Sequence, residues 1–272
     1  MSLEEIQQLL QTFQITPTKL LGQNFMVEPT FYPKLASYAE LVSSDVVLDA
    51  GAGFGFLSTF LADKCQSIVA VEKDPQITLA LRQQTKSFDN ITVVEGDIIK
   101  TGLPTFNKTI AAPPYYLSSK LVLFLLEHNV DCAVLIVQKE FADRLTAKVG
   151  SENYSWLTVV VYQKAYVEIL DFVPKDMFYP QPEVDSVVVR IKPWQFPPFA
   201  VKDSLFFERM VKWLFTERNK KILNALEPFI RTEVNMEKQV VKKIIQTFPY
   251  HGMRPREITP ENFGAIANAF TN

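Results

Sequence analysis

The chain has 272 residues, 47% of them hydrophobic and 21% charged, with 28 basic and 30 acidic side chains. That apolar content can fill at least one large core and excludes disorder as the main state. A net charge of −2 excludes a uniformly basic, polyanion-coating surface, so any nucleic-acid contact has to be local.

The acidic, amphipathic start lacks the pattern of a secretory signal. Ser2-Leu-Glu-Glu5 reads as a capping box opening a short helix, with Ile6, Leu9, Leu10 and Phe13 on one face, ended by Pro17. Residues 19–25 (KLLGQNF) are a loop by composition, and a second amphipathic helix follows Pro29 to about Leu41. No apolar run in the chain reaches the roughly 18–20 residues that span a bilayer. Cys65 and Cys132, with His128 and His251, make neither a disulfide framework nor a zinc site. The expectation is a cytoplasmic protein without a metal and without a membrane partner.

From Asp45 onward, short apolar runs alternate with helical segments. Strands are expected at Val46–Ala50, Ser67–Val71, Ile91–Val94, Lys108–Ala111 and Cys132–Val137. Helices are expected at Phe56–Leu61, Pro75–Gln84 and Ser118–His128, and in a segment carrying Glu140, Arg144 and Lys148. Leu157–Tyr162 has the length of a core strand or a core helix. Such alternation implies a mostly parallel sheet covered on both faces. Val167–Phe172 and Ser186–Ile191 flank FYPQPEVD and form an antiparallel edge pair of the same sheet. Pro193–Pro198 (PWQFPP) is a stiff linker, which divides the chain into residues 1–192 and residues 199–272. Residues 203–216, 219–226, 236–247 and 260–270 all read as helices. Residues 201–272 carry 12 basic and 8 acidic side chains, so the small helical domain is the basic end.

Asp49-Ala-Gly-Ala-Gly-Phe-Gly55 follows a strand and opens a helix, where glycines let the main chain turn sharply and approach a ligand. The spacing is Gly-x-Gly-x-Gly, and the loop lacks the lysine of a triphosphate site. Glu72, closing the next strand, can accept both hydroxyls of a ribose. Asp97, closing the third, can accept from an adenine amine. Together the three point to a nucleoside cofactor at the carboxyl edge of the sheet, against the alternative of a tight turn with two solvated acids. S-adenosylmethionine, cationic and free of phosphate, suits this acidic loop better than NAD.

Ala112-Pro-Pro-Tyr115 follows the fourth strand. Its prolines fix the backbone, so that the Pro113 carbonyl is a rigid acceptor for an amine. Tyr115 offers a face on which a base stacks, worth about 1–3 kcal/mol. Phe178, in the second rigid loop Phe178-Tyr-Pro-Gln-Pro-Glu-Val-Asp-Ser186, can cover the opposite face. This is what methyl transfer to an exocyclic amine needs: a base out of its stack, its nitrogen aligned with the donor. The alternative for both rings is ordinary core packing.

These residues resemble the KsgA-type adenine dimethyltransferases of small-subunit ribosomal RNA, in an archaeal-like version. LGQNF (21–25), DAGAGFG (49–55), VEKD (71–74), EGD (95–97), PPYYLSS (113–119), VQKEFADRL (137–145) and FYPQPEVDSVVVR (178–190) fall in the family's order. FTERNKKILNAL (215–226) and RPREITPENF (254–263) resemble its C-terminal domain. The resemblance implies a Rossmann-like methyltransferase sheet with a small all-α RNA-binding domain. It implies an S-adenosylmethionine site with Gln23, Asn24 and Met26 towards the methionine end. Gly51 and Gly53 form its loop, Glu72 takes the ribose and Asp97 the adenine, and Asp49, Ile98 and Ala112 also belong to the cofactor site. It further implies that Ala112, Pro113, Pro114, Tyr115 and Phe178 form the reaction site. Two successive methyl transfers to each of two adjacent adenosines near the RNA's 3′ end follow from the same resemblance, made by a monomer within a pre-ribosomal particle.

One position departs from the pattern: Ala112 stands where the family usually carries Asn, whose side chain accepts from the target amine. Losing one preorganised polar group costs about 10²–10³ in rate. The second reading is therefore a catalytically weak or inactive RNA-binding assembly factor of the same fold. A third is methylation of large-subunit RNA or of DNA, against which RPREITPENF argues. The residues expected on RNA are Arg144, Lys148, Lys212, Arg218, Lys220 and Lys221, the alternative for each being a solvated helix face. Arg254 and Arg256 are read as anchors of the last helix.

Overall fold

The computed structural model describes residues 3–18, 22–128 and 130–271. Ser2 of the expected capping box, and Lys19, Leu20 and Leu21 at the start of the KLLGQNF loop, lie outside the described residues.

The chain divides into two compact units, Met1–Ala142 with Val167–Pro193, and Asp143–Tyr166 with Trp194–Asn272. The first is built on a seven-stranded sheet of order β4-β3-β2-β5-β6-β9-β7. These strands are β2 (Val46–Ala50), β3 (Ser67–Glu72), β4 (Ile91–Glu95), β5 (Lys108–Ala111), β6 (Cys132–Gln138), β7 (Ala165–Val173) and β9 (Ser186–Pro193). β2, β3, β4, β5 and β6 run parallel, and β9 pairs antiparallel with β6. The inner parallel strands are mostly apolar because both faces are covered, and every residue of β5 is buried, whereas β4, on the edge, has no fully buried residue. The two segments flanking FYPQPEVD do join the sheet side by side, with β9 inside and only β7 on the edge.

From β2 the chain works outward to β3 and β4, then returns to β5 on the other side of β2. The carboxyl ends of β2 and β5 therefore flank the topological switch point, where open sheets bind ligands. The covering helices include α1 (Leu3–Thr12), α2 (Phe31–Tyr38), α3 (Phe56–Leu61), α4 (Pro75–Gln84) and α5 (Ser118–Leu126). A two-stranded sheet pairs β1 (Phe25–Met26) with β8 (Phe178–Tyr179), Met26 opposite Phe178. These strands are too short for alternation to announce them, yet they bring the GQNF loop against the FYPQPEVDS loop.

The second unit holds α7 (Trp156–Lys164), α8 (Ser204–Thr216), α9 (Ile222–Val234), α10 (Lys238–Gln246) and α11 (Pro260–Ala269). The chain crosses between the units at Pro193/Trp194, and the second unit takes in residues 143–166 as well as the C-terminal helices. The cause is α7, whose Leu157, Val159, Val160 and Val161 are all buried. A helix apolar all round needs cover on every side. The Tyr154 hydroxyl donates to the Ile258 carbonyl at 2.8 Å, and Lys164 pairs with buried Glu208 at 2.7 Å. α6 (Lys139–Leu145) ends three residues before Lys148, which lies in the following loop. Among the described residues no helix is long and apolar enough to cross a membrane.

Candidate active site

The site is built on backbone that only glycine adopts easily. Gly51, Gly53 and Gly55 all have left-handed φ, +79°, +57° and +85°. Gly51 is also a close-approach position: a Cβ there would lie 2.8 Å from Cδ of Pro114. The Ala112–Tyr115 corner is thus seated directly on the glycine loop. The amides of Gly51 and Ala52 donate to the Val71 carbonyl, that of Gly53 to the Glu72 carboxylate, and that of Gly55 to the Ala52 carbonyl. With those N–H groups engaged inside the protein, the loop offers no cradle for a phosphate, which fits a phosphate-free nucleoside.

A cleft of about 700 Å³, measured with its open mouth, runs along this rim. It is lined by Gly51, Gly53, Glu72, Asp97, Ile98 and Ala112, with Gln23 and Asn24 on the N-terminal side. Glu72 accepts from the amides of Gly53, Lys73 and Asp74 at 2.8–3.0 Å. Burial raises its pKa against those three bonds. Asp97 accepts from the Ile99 amide and pairs with Lys73 at 3.1 Å, and that lysine holds its pKa down. Asp74 caps α4 through the Gln76 and Ile77 amides and accepts from the Gln23 side chain at 2.9 Å, tying the N-terminal loop to the cleft. A second recess adjoins the first at Asn24, Phe25, Gly51, Gly53 and Ala112 and reaches Met26 and Asp49.

Asp49 is buried beneath the loop and accepts from the Ser58 hydroxyl at 2.7 Å. Burial pushes its pKa up to about 7, with the charge of Glu72 adding to the rise and the Ser58 bond opposing it. The carboxyl is thus neutral below that pH and charged above it. A cationic ligand favours the charged form, so its affinity is expected to weaken about tenfold per pH unit as pH falls below 7. Stability of the ligand-free protein is expected to run the other way: for a carboxyl whose folded pKa is raised, stability is lost as pH rises from the unfolded value towards 7. Titrating S-adenosylmethionine by calorimetry from pH 6 to pH 8 checks this, with Asp49→Asn expected to flatten the profile.

The reaction residues are placed unequally. Ala112 lines both recesses and Pro114 the larger, and no donor among the described residues bonds the Pro113 carbonyl. Tyr115 is half-buried, its hydroxyl 2.7 Å from that of Ser186. Burial raises its pKa. Phe178 is only 5% exposed and belongs to the core with Met26, Tyr32 and Leu35, on which Ala112 also packs. Besides Phe25, the cleft wall carries Tyr116, 53% exposed, together with Leu117 and Lys73. Sequence reasoning passed over these three; the available signal was adjacency to PPY and to Glu72.

All six residues expected on RNA fall in the second unit. Lys212 pairs with Glu208 at 3.6 Å and lies over the Trp156 ring, and Lys220 pairs with Glu217 at 2.7 Å. Arg144, Lys148, Arg218 and Lys221 make no ion pair among the described residues. Nor do Lys238, Lys242 and Lys243 of α10, whose Val241 and Ile245 are buried on the other face. No His/Cys/Asp/Glu group suited to a metal occurs among the described residues.

The model of the family described as ribosomal RNA adenine dimethylase matches residues 16–249. The chain is 34% identical over 248 residues to a probable ribosomal RNA small subunit methyltransferase A of Methanosarcina mazei, covering 90% of each. To the protein of that name in Pyrococcus abyssi it is 35% identical over 259 residues, covering 95% of this chain and 93% of that one. Among solved structures it is similar to a dimethyladenosine transferase from Plasmodium falciparum, with TM-score 0.76, 27% identity, and 88% and 94% of the two chains covered. It is also similar to the 23S rRNA methyltransferase ErmE, with TM-score 0.66, 25% identity, and coverage of 91% and 99%.

Proposed function

The chain belongs to the ribosomal RNA adenine dimethylase family of S-adenosylmethionine-dependent methyltransferases, and from that premise we propose that it dimethylates the exocyclic amines of two adjacent adenosines near the 3′ end of small-subunit ribosomal RNA. It acts in the cytoplasm, as a monomer, on a pre-ribosomal particle. The observation that supports this reading is the close approach of Pro113 and Pro114 to Gly51, which sets the corner beside a cleft lined by Glu72, Asp97, Ala112 and Pro114.

Bound S-adenosylmethionine supplies an electrophilic methyl group on a cationic sulfonium. Glu72 would hold the ribose hydroxyls, Asp97 and Ile98 the adenine, and Asn24, Met26 and Asp49 the methionine end. The Pro113 carbonyl, to which no donor among the described residues bonds, would accept one N–H of the target amine and so aim its lone pair. Tyr115 and Phe178 wall the base, and their prolines restrict the backbone beneath them. The amine nitrogen takes the methyl carbon as the carbon–sulfur bond breaks, its electron pair staying on sulfur to leave a neutral thioether; the nitrogen then releases a proton to solvent, and no side-chain nucleophile takes part. Ala112 favours a second reading, a slow or inactive assembly factor that still binds RNA.

Undermethylated small subunits incubated with tritiated S-adenosylmethionine are expected to take up label at two adjacent adenosines, mapped by primer extension. Cofactor binding without incorporation, under conditions where a related enzyme works, would favour the assembly-factor reading. Label in large-subunit RNA would overturn the proposed substrate.

The ion-pair pattern ranks the RNA contacts. Arg218→Ala and Lys221→Ala are each expected to lower the slope of log affinity against log salt by about 0.7–0.9. Lys212→Ala and Lys220→Ala, whose charges already face Glu208 and Glu217, are expected to lower it by less than half as much. Filter binding at four salt concentrations measures all four slopes, and equal slopes would refute the ranking.

A further inference from the structure

Tyr115 is held at two points of different origin. Its backbone follows Pro114 and begins the single turn Tyr115–Leu117 that leads into α5, with the Ser118 hydroxyl donating to its carbonyl at 2.9 Å. Its phenol end meets the hydroxyl of Ser186 at 2.7 Å. Ser186 is fully buried and opens β9, in register with Gln138 of β6. Its backbone therefore belongs to the sheet interior, whereas the tyrosine stands on a loop at the sheet's rim. The residue before it is pinned as well: the Asp185 carbonyl accepts from the Lys139 amide, and its carboxylate accepts from the Lys175 amide. Phe178 begins the same loop, in register with Met26 and sunk into the core.

We infer that Ser186 is a positioning residue for methyl transfer: its hydroxyl holds the far end of the Tyr115 ring, so that the loop 178–186 both supplies one wall of the base slot through Phe178 and sets the lean of the other through Ser186. The inference rests on the assignment of Tyr115 and Phe178 to the base slot. A phenol ring turns about two side-chain bonds; packing limits one end, and only a directional bond at the far end fixes the tilt. Holding the ring before the base arrives removes a motion that substrate binding would otherwise have to freeze. The proline-rich composition of the loop serves the same end, since a mobile loop could not hold two walls at a constant spacing.

Three variants test this: Tyr115→Phe, which keeps the ring and loses only the hydroxyl, Ser186→Ala, and the two combined. Both single changes remove one and the same bond. Each is expected to lower kcat for methyl incorporation about tenfold with little change in KM for RNA or in cofactor affinity, and the double variant to be no worse than either. A second readout needs no methyl transfer. An RNA oligonucleotide with 2-aminopurine at the target position is expected to lose fluorescence on stacking with the native protein, and to lose less with each single variant. Native protein that quenches the probe but transfers no methyl group would count against the proposed activity while the variants still judge the role of Ser186. The inference is overturned if the native protein does not quench the probe, if either single variant matches it in both readouts, or if the two losses multiply in the double variant.

Discussion

Replacing Ala112 by Asn is expected to raise the initial rate of methyl incorporation by about 10²–10³, with cofactor affinity changed little. The side chain at this position faces the cleft and its neighbouring recess at once, where the strand β5 ends and the corner begins. The Pro113 carbonyl can accept one N–H of the target amine, and a methyl group at 112 offers nothing for the other. An amide oxygen there would engage the second N–H and leave the lone pair as the only group free to face the methyl donor. Because that acceptor matters most as the amine becomes cationic, the gain belongs to kcat rather than to binding. Single-turnover incorporation with native and Ala112→Asn protein side by side measures it. Equal rates, both as fast as a related enzyme, would show that Pro113 alone suffices; equal rates, both near zero, would favour the assembly-factor reading.

The second large effect is at the glycine loop. Gly51→Ala combines two penalties at one atom: a left-handed φ of +79°, and a Cβ 2.8 Å from Cδ of Pro114. Left-handed strain for a non-glycine residue costs about 1–3 kcal/mol, and overpacking against a rigid ring about 1–3 kcal/mol. The loop can escape the contact only by moving away from the corner, which opens the cofactor cleft. S-adenosylmethionine affinity is therefore expected to fall about a hundredfold, corresponding to about 3 kcal/mol. The combined variant Gly51→Ala/Pro114→Ala loses the Cδ atom and is expected to recover roughly the contact's share of the loss. Gly150→Ala is the control for strain by itself: its φ is +81°, and a Cβ there meets nothing within 4 Å. It is expected to cost some thermal stability and no cofactor affinity. If Gly51→Ala binds the cofactor as the native protein does, the corner does not depend on the loop.

Much of this was legible in the chain because local physics wrote it there. The central parallel strands are short, mostly apolar runs, buried along most of their length because such strands are covered on both faces. α4 announces itself by Asp74 before Pro75, and α11 by Thr259 before Pro260. Where the pattern misled, a competing contact won. Pro228 argues for a helix ending near residue 226, yet α9 continues through it to Val234. Burial of Leu226, Phe229 and Ile230 on one face outweighs the lost backbone bond. The β-branched run Thr158–Val161 leaves strand and helix equally open to sequence reasoning, and the capping pair Ser155–Thr158 with all-round burial settles it as α7.

The groups expected at the site were legible by residue type: the glycines after β2, acids at successive strand ends, and two proline-stiffened aromatic loops are each a local demand on backbone or charge. Which of those groups meet was decided only by the fold. That Pro114 rests on Gly51, that the Tyr115 hydroxyl finds Ser186, and that Tyr116 rather than Tyr115 lines the cleft all follow from packing between segments far apart in the chain or turned to different sides of one element, whereas the pairs Lys212–Glu208 and Lys220–Glu217 are neighbours at i,i+4 and i,i+3 that the sequence already held. Composition and period specify which face of a segment is buried; they carry no record of which other segment buries it.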